Sequence, residues 1–488
     1  MNQKKKTLRT LSGLALACLL ASCGGEGGGE SSSRHQGGGE EDPEIWICVY
    51  DGGYGRTWID NMAASFTKKT GINVHVDCDS TVLDRIETNL KNGGDYDIYM
   101  SHDINWRNYA AQGWLAPLDD VYSATVEGEN QTFEQKLIPG AAENSKFKVG
   151  GEEHYYKVCY TQGAGGFVYN MDMFEENGWS VPETYDDLVK LCKTIVDAKL
   201  TNSAHKKVVP FAWGGSDRQY YWDYPVFEWW AQMAGLEKVN TILEYKGPTG
   251  EYADGYEMYN PATYYKEFND AYKMWWDLIA NNSANSTSTS RSDSIVKTRS
   301  AFINGEAAMI PYAQWAKFEL ESTNDGQPLD FKYSMMKTPK VNAEAKDYNY
   351  LVGFGDSIVV PSNSANIDLA KKFISFMATN ASCHDFVRDA EGAFLAFDYK
   401  NIDLSDLEAN DPYIRSIHEK LSTTNFSVVS QNPITYLTTN KVMPWVNNDY
   451  YYQKAASDPT GNNPSTVGNK VYQAAKSGWA SWLHTAGL

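Results

Sequence analysis

Residues 45–76 read IWICVYDGGYGRTWIDNMAASFTKKTGINVHV, and this stretch decides the fold class. Its first six residues are apolar and lead into Asp51-Gly52-Gly53, which predicts a strand followed by a turn. Apolar side chains at residues 59, 62, 63 and 66 share one face of a helix, and Gly71 would close that helix. Apolar residues then alternate at 72, 74 and 76, so a second strand follows.

The same alternation continues over the next residues. Leu83, Ile86 and Leu90 have helical spacing, and residues 96–100 form a third apolar run. Strands and helices that alternate with short loops predict an α/β fold with a parallel sheet. Ligands of such sheets lie beyond the carboxyl ends of the strands. Asp51, His102 and Asp103 follow the first and third strands, so they are candidate ligand contacts, although helix capping would also explain them.

The composition excludes several classes of protein. The chain has 488 residues, of which 42% are apolar and 22% charged, which is typical of a globular protein and excludes disorder of the whole chain. This length exceeds one ordinary hydrophobic core, so we expect two or three lobes. No stretch after residue 25 is apolar for long enough to span a bilayer, which excludes a multi-pass membrane protein. The net charge of −19 argues against nucleic-acid binding.

Aromatic residues are abundant and biased towards rings with a polar tip. The sequence contains 15 Trp and 32 Tyr against 18 Phe. Such rings suit a cleft for a ligand with flat apolar faces and many hydroxyls, which describes a carbohydrate. A large core with surface tyrosines would explain the same bias.

The N-terminus has the pattern of an export signal. Lys4, Lys5, Lys6 and Arg9 precede the apolar run 11–20, which predicts a secretory signal over residues 1–22. The run ends in Leu20-Ala21-Ser22-Cys23, which resembles the lipobox of bacterial lipoproteins, in which the cysteine is acylated; an ordinary cleavage site is the alternative. Residues 23–43 form a Gly/Ser/Glu tether. We therefore expect a lipid-anchored protein on the outer face of the cytoplasmic membrane, with a net charge of −23 after cleavage.

Five cysteines remain beyond Cys18 and Cys23, namely Cys48, Cys78, Cys159, Cys192 and Cys383. They form neither a CxxC motif nor a Cys/His cluster with metal spacing, so we expect no metal site and no cofactor. Most lie in apolar runs and are predicted to be buried. A disulfide between Cys48 and Cys78 could form if their strands are neighbours, and the sequence alone does not decide this.

Several segments share their order and spacing with one protein family. They are FTKKTGINV (66–74), YDIY (96–99), GWLAPLD (113–119), GFVYNMDMF (166–174), FINGEAAM (302–309) and LAKKFI (369–374). Together they resemble the extracellular solute-binding proteins (family 1) of bacterial ABC importers, the group that includes maltose-binding protein. The resemblance extends from residue 45 to about residue 395 and fades beyond it.

The resemblance implies a periplasmic-binding-protein-like fold, with two α/β lobes, a hinge and a ligand cleft between the lobes. The implied N-lobe comprises residues 44–160 and 351–428, and the C-lobe comprises residues 161–350 and 429–488. Crossings between the lobes would lie near residues 160–165, 350–355 and 425–435. Glycines there supply the backbone freedom of a hinge, although turns would also need them.

The resemblance also implies ligand contacts. Trp315 follows the FINGEAAM motif where relatives of maltose-binding protein place a stacking tryptophan. Trp213 and Trp222 flank a polar stretch suited to a cleft rim, although tryptophans between helices more often pack in the core. Tyr160 lies at the first crossing, and Phe354 and Asp356 lie just past the second, where the backbone can approach a ligand.

These patterns predict a receptor rather than an enzyme. We expect a monomer that captures a carbohydrate, of oligosaccharide type, by lobe closure and delivers it to the permease subunits of an ABC importer. No single motif identifies the sugar. A secreted glycoside hydrolase is the main alternative, since it needs two facing carboxylates and acidic residues are abundant in this chain. A binding protein for a peptide, polyamine or metal is the other.

Overall fold

The computed structural model describes residues 43–102, 104–351, 356–427, 451–486 and 488. The predicted alternation at the start of the chain is confirmed, because three strands and two helices follow one another from residue 44 to residue 101. The first helix buries the predicted face, Ile59, Met62, Ala63 and Phe66, and ends at Gly71 with a φ of 76°.

The strands of the described residues are short, and most belong to two sheets. They are β1 (Glu44–Val49), β2 (Asn73–Cys78), β3 (Ile98–Ser101), β4 (Lys146–Val149), β5 (Glu152–Tyr155), β6 (Val158–Cys159), β7 (Gly165–Asn170), β8 (Val209–Phe211), β9 (Ala307–Ala313), β10 (Tyr333–Met336), β11 (Tyr348–Tyr350), β12 (Ser357–Val359) and β13 (Thr424–Phe426).

The described residues also form α-helices. They are α1 (Thr57–Thr70), α2 (Val82–Asn92), α3 (Trp106–Ala111), α4 (Asp119–Ser123), α5 (Phe133–Lys136), α6 (Met171–Glu176), α7 (Tyr185–Ala198), α8 (Asp223–Ala234), α9 (Leu236–Leu243), α10 (Lys266–Trp275), α11 (Ile295–Ile303), α12 (Ala316–Thr323), α13 (Ile367–Met377), α14 (Asn380–Asp389), α15 (Ser405–Glu408), α16 (Pro412–Leu421), α17 (Tyr451–Ser457) and α18 (Pro464–Ala486). Short 3₁₀ turns include Gln219–Trp222 and Tyr252–Tyr259.

The first sheet, which we assign to the N-lobe, has the strand order β2-β1-β3-β12-β6. Strand β1 is parallel to β2 and β3, as the alternation predicts. Strand β12 comes from far along the chain and runs antiparallel between β3 and β6. The sheet therefore joins the first part of the chain to β12, which follows all strands of the second sheet in the sequence.

The second sheet, which we assign to the C-lobe, has the order β10-β7-β9-β8. Strand β7 is antiparallel to both β10 and β9, and β8 is parallel to β9. All seven residues of β9 are buried, so this inner strand of the second sheet is covered on both faces.

One boundary between the lobes differs from the expectation. Residues 351–428 were expected in the N-lobe, but α16 packs against β10 of the second sheet. The contact is specific, since the Met335 amide donates a hydrogen bond of 3.0 Å to the Ser416 hydroxyl. The other expected boundaries stay predictions, and most of the third crossing, from residue 428 onwards, lies outside the described residues.

The register of β1 and β2 excludes a disulfide between Cys48 and Cys78. Cys48 is aligned with Asp77, and Val49 with Cys78. Neighbouring residues along a strand point to opposite faces, so Cys48 and Cys78 face away from each other. All five of these cysteines are free thiols, and all but the half-buried Cys78 are buried as predicted.

We expect iodoacetamide at pH 8 to label Cys78 first in the native protein. Burial raises the pKa of the Cys48 thiol to about 11 and that of Cys159 to about 12, which keeps both as unreactive thiols. Peptide mapping by mass spectrometry gives the rate at each site, with urea-unfolded protein as the control in which all five react. Equal native rates at Cys159 and Cys78 would contradict this burial pattern.

Candidate functional site

The predicted strand-end residues lie at one edge of the first sheet. Strands β1 and β3 are parallel neighbours, so the residues that follow them lie side by side. Asp51 is exposed there. His102 is half-buried, and its ring meets the Tyr50 ring edge-on with a centroid distance of 4.3 Å. Asp103 lies outside the described residues.

The loop between β1 and α1 reaches across to the C-lobe. Its sequence, Gly52-Gly53-Tyr54-Gly55, carries little side-chain bulk, which permits close approach. A Cβ atom at Gly53 would lie 3.0 Å from Cγ of Trp315, and a Cβ at Gly55 would overlap the Phe318 ring. Trp315 directly precedes α12, which contains Phe318. The lobes therefore touch at this loop.

Trp315 occupies the centre of this contact. Its side chain is half-buried, and its indole Nε1 donates a hydrogen bond of 3.0 Å to the Tyr221 hydroxyl. The Tyr54 ring of the N-lobe meets the indole nearly at right angles, with a centroid distance of 6.1 Å. Tyr221 of the C-lobe thus orients the indole, and Tyr54 of the N-lobe contacts it.

Asp356 joins three segments of the N-lobe side. Its carboxylate accepts hydrogen bonds from the Tyr54 hydroxyl, at 2.9 Å, and from the Thr161 hydroxyl. Its carbonyl oxygen accepts from the Tyr160 amide at 3.1 Å. Burial, followed by the negative charge of Asp356, raises the pKa of the Tyr54 phenol well above its usual range, so Tyr54 stays a hydrogen-bond donor at neutral pH.

Tyr221 is supported by a polar network in the C-lobe. Its ring lies 5.0 Å from the Tyr312 ring, and the Tyr312 hydroxyl donates to the Glu319 carboxylate. That carboxylate is paired with Arg299 at 2.8 Å. Burial, followed by the charge of Glu319, raises the pKa of Tyr221, so its hydroxyl stays protonated beside Trp315.

Three sequence candidates belong to the core instead. Trp222 is fully buried, and its ring packs on Phe211 and Trp275. Trp213 is buried beside it, and its Nε1 donates to the Ser286 hydroxyl at 3.2 Å. Tyr160 is buried against Trp58. The polar stretch between the two tryptophans suggested a rim, but both rings point into the apolar interior of the C-lobe.

Two other candidates cannot be placed, because Phe354 and Cys23 lie outside the described residues. Two further residues contact Trp315 and are not among the sequence-based candidates, namely Tyr54 and Tyr221. Tyr54 follows Asp51 within a glycine-rich turn at a strand end, and this position in the sequence already indicates a candidate ligand contact. Tyr221 lies within a run of aromatic residues, so its position beside Trp315 required the tertiary structure.

Two further properties concern the described residues as a whole. No three His, Cys, Asp or Glu side chains among them form a group that could hold a metal ion. Within the same part of the chain, none of the helices combines the length and apolar character needed to cross a bilayer.

Comparison with known proteins relates this arrangement to one family. The family model for bacterial extracellular solute-binding proteins matches residues 52–382. The diacetylchitobiose binding protein NgcE of Streptomyces coelicolor is 27% identical over 150 residues, which cover 29% of this chain and 30% of that protein. The multiple sugar-binding protein of Streptococcus mutans is 25% identical over 256 residues, 52% of this chain and 53% of that protein. The matches thus span 30% and 53% of the length of these two curated relatives.

Solved structures extend the likeness over nearly the whole chain. Apo RafE from Streptococcus pneumoniae superposes with a TM-score of 0.60 at 16% identity, covering 90% of this chain and 98% of RafE. RafE in complex with raffinose matches with a TM-score of 0.57. The likeness confirms the predicted two-lobed α/β fold of the periplasmic-binding-protein type.

Replacement of Gly55 by alanine tests the contact between the lobes, with Gly71→Ala as the matched control. Both glycines have a positive φ, 66° and 76°, so each alanine costs roughly 1–2 kcal/mol of backbone strain. Only Gly55 also faces the Phe318 ring, since nothing lies within 4 Å of a Cβ at Gly71. We expect Gly55→Ala to lose more stability in urea and to increase the radius of gyration in X-ray scattering. Equal losses and unchanged scattering in both variants would contradict the contact.

Proposed function

The chain belongs to the bacterial extracellular solute-binding protein family, as its motifs predict, and from this premise we propose that it is a carbohydrate receptor of an ABC importer. Members of this family are binding proteins that act outside the cytoplasm, and enzymes are not among the relatives described above. The hydrolase alternative therefore has no support from the family.

The names of the relatives support a sugar as the ligand. One is named for diacetylchitobiose, another for multiple sugars, and RafE was solved with raffinose. These ligands share the chemistry of pyranose rings, with flat C–H faces and hydroxyl edges. We propose that this chain takes a ligand of the same class, an oligosaccharide.

The half-buried indole of Trp315, held between the two lobes, is the observation that carries the proposal. A sugar needs an aromatic face for its C–H side and polar groups for its hydroxyls. Trp315, Tyr54 and Tyr221 supply rings within one cluster, and Asp356 supplies a carboxylate bonded to Tyr54. We propose Trp315, Tyr54 and Asp356 as the main ligand contacts, with the buried Tyr221 orienting the indole and with Asp51 and His102 at the sheet edge as additional contacts. Asp103 and Phe354 stay sequence-based proposals.

The proposed mechanism is closure of the two lobes around the sugar. A ligand that touches Tyr54 and Asp356 of the N-lobe and Trp315 of the C-lobe stabilises the closed arrangement, because it gains its full contacts only there. The closed form would be recognised by the permease subunits. The monomeric state remains part of the proposal.

A lipid anchor at Cys23 would keep the receptor beside that permease. The proposal is supported by the lipobox-like residues 20–23 and by the tether of residues 23–43, which contains many small and polar residues. Attachment through several acyl chains gives firm membrane binding, whereas one chain binds only marginally.

Sugar-induced stabilisation of the wild type and of Trp315→Ala tests the function. We expect one or more saccharides from a panel containing diacetylchitobiose and raffinose to raise the melting temperature, because a ligand that binds only the folded state stabilises it. Trp315→Ala should weaken the affinity for that saccharide by roughly tenfold or more in calorimetry, since loss of a buried aromatic contact costs over about 1.4 kcal/mol.

Trp179→Ala is the matched control for this experiment. Trp179 is also a half-buried tryptophan of the C-lobe, but its ring packs on Phe174 of α6. Its variant should bind the saccharide as the wild type does. The proposed function fails if a non-sugar solute stabilises the protein and no saccharide does, or if purified protein hydrolyses oligosaccharides. Undiminished affinity in Trp315→Ala would remove that residue from the site.

Replacement of Cys23 by serine tests the anchor in a bacterial host that processes lipoproteins. The wild type should partition into the detergent phase of Triton X-114, and Cys23→Ser should move to the aqueous phase because it lacks the acylated thiol. Cys78→Ser serves as the control and should partition like the wild type. Retention of Cys23→Ser in the detergent phase would rule out acylation at this residue.

A further inference from the structure

A row of aromatic side chains leads from Trp315 to the surface of the C-lobe. The Tyr221 ring lies 6.2 Å from the Trp315 ring, and the Tyr220 ring lies 5.4 Å from the Tyr221 ring. Burial decreases along the 3₁₀ turn that carries them, since Tyr221 is buried whereas Tyr220 is 38% exposed. An isolated exposed tyrosine would need no explanation. Tyr220 is not isolated, because it lies at the end of this row of aromatic rings, and its exposure therefore needs an explanation.

The loop that presents Tyr220 is held firmly against the segment before α11. The Gly215 amide donates to the Ser290 carbonyl at 2.9 Å, and the Ser216 amide donates to the Asp293 carbonyl at 3.0 Å. The Asp217 carboxylate accepts from the Ile295 amide at 2.9 Å. These bonds fix the loop before any ligand arrives, so little ordering entropy would be lost on binding.

Arg218 adds a polar group beside the exposed ring. Its guanidinium carbon lies 5.8 Å from the centroid of the Tyr220 ring, within the range of a cation–π contact. A guanidinium carries five N–H donors and no acceptor, and sugar hydroxyls and ring oxygens accept such bonds. The pair therefore offers an aromatic face and hydrogen-bond donors together, which is the combination that a sugar ring needs.

We propose that Tyr220 and Arg218 form an outer subsite for one further ring of an oligosaccharide whose inner end lies at Trp315. This inference rests on the proposed sugar-binding function and extends it to ligand length. The buried Tyr221 ring lies between the rings of Trp315 and Tyr220, so these two rings are not adjacent, and a sugar chain that stacks on both has an intervening ring. A ligand that reaches the outer subsite therefore has three or more rings, and the site distinguishes such chains from disaccharides.

Affinity as a function of ligand length tests the outer subsite. The probes are N-acetylated chito-oligosaccharides of two to five rings, together with raffinose and the tetrasaccharide stachyose, measured by titration calorimetry. We expect Tyr220→Ala to weaken binding of chains of three or more rings by roughly 2- to 12-fold, the effect of one aromatic contact. Disaccharide affinity should change by less than twofold, and Tyr220→Phe should keep the wild-type preference because it keeps the ring.

Tyr264→Ala is the matched control, because Tyr264 is 36% exposed and lies in the turn before α10. It should bind every probe as the wild type does. The inference is overturned if Tyr220→Ala binds long chains as the wild type does while Trp315→Ala loses all lengths, a result that leaves the proposed function intact. Equal wild-type affinities for two and three rings also overturn it. Absence of saccharide binding by the wild type overturns both proposals.

Discussion

The hydrogen bond from the Tyr54 hydroxyl to the Asp356 carboxylate joins residues 302 positions apart, and the candidate site depends on it. The bond exists because β12 enters the first sheet between β3 and β6, directly after Asp356. The same carboxylate holds Thr161 in the segment between β6 and β7. One acidic side chain thus fixes the glycine-rich loop, a crossing between the lobes and the returning strand relative to one another.

A buried ion pair serves a related role in the C-lobe. Glu228 of α8 and Lys420 of α16 are both buried, with a distance of 3.0 Å between Lys420 Nζ and the Glu228 carboxylate. The carboxylate also accepts from the Tyr350 amide at 2.9 Å, which ties β11 to both helices. Burial raises the pKa of Glu228, and the Lys420 charge opposes that rise. Because a buried pair gains little net stability, its clearest effect is to fix which segments meet.

Local patterns were sufficient for the start of the fold but not for the site. Periodicity located α1 and its cap at Gly71, since those features depend on residues close in sequence. It could not separate Trp222, packed in the core, from Trp315, half-buried between the lobes. The two indoles have the same chemistry and both lie in aromatic surroundings. Their difference arises from which lobe surface each ring faces, a property of contacts between distant segments.

The closeness of Gly53 to Trp315 also bears on how a ligand could enter. The indole is contacted by Gly53 at the backbone and by the Tyr54 ring at its edge. A sugar that stacks on Trp315 must replace at least one of these contacts, so entry requires the loop and α12 to separate. The free energy of binding therefore includes the loss of this contact between the lobes. A ligand overcomes that loss only by touching both lobes, which favours chains with several rings over a single small sugar.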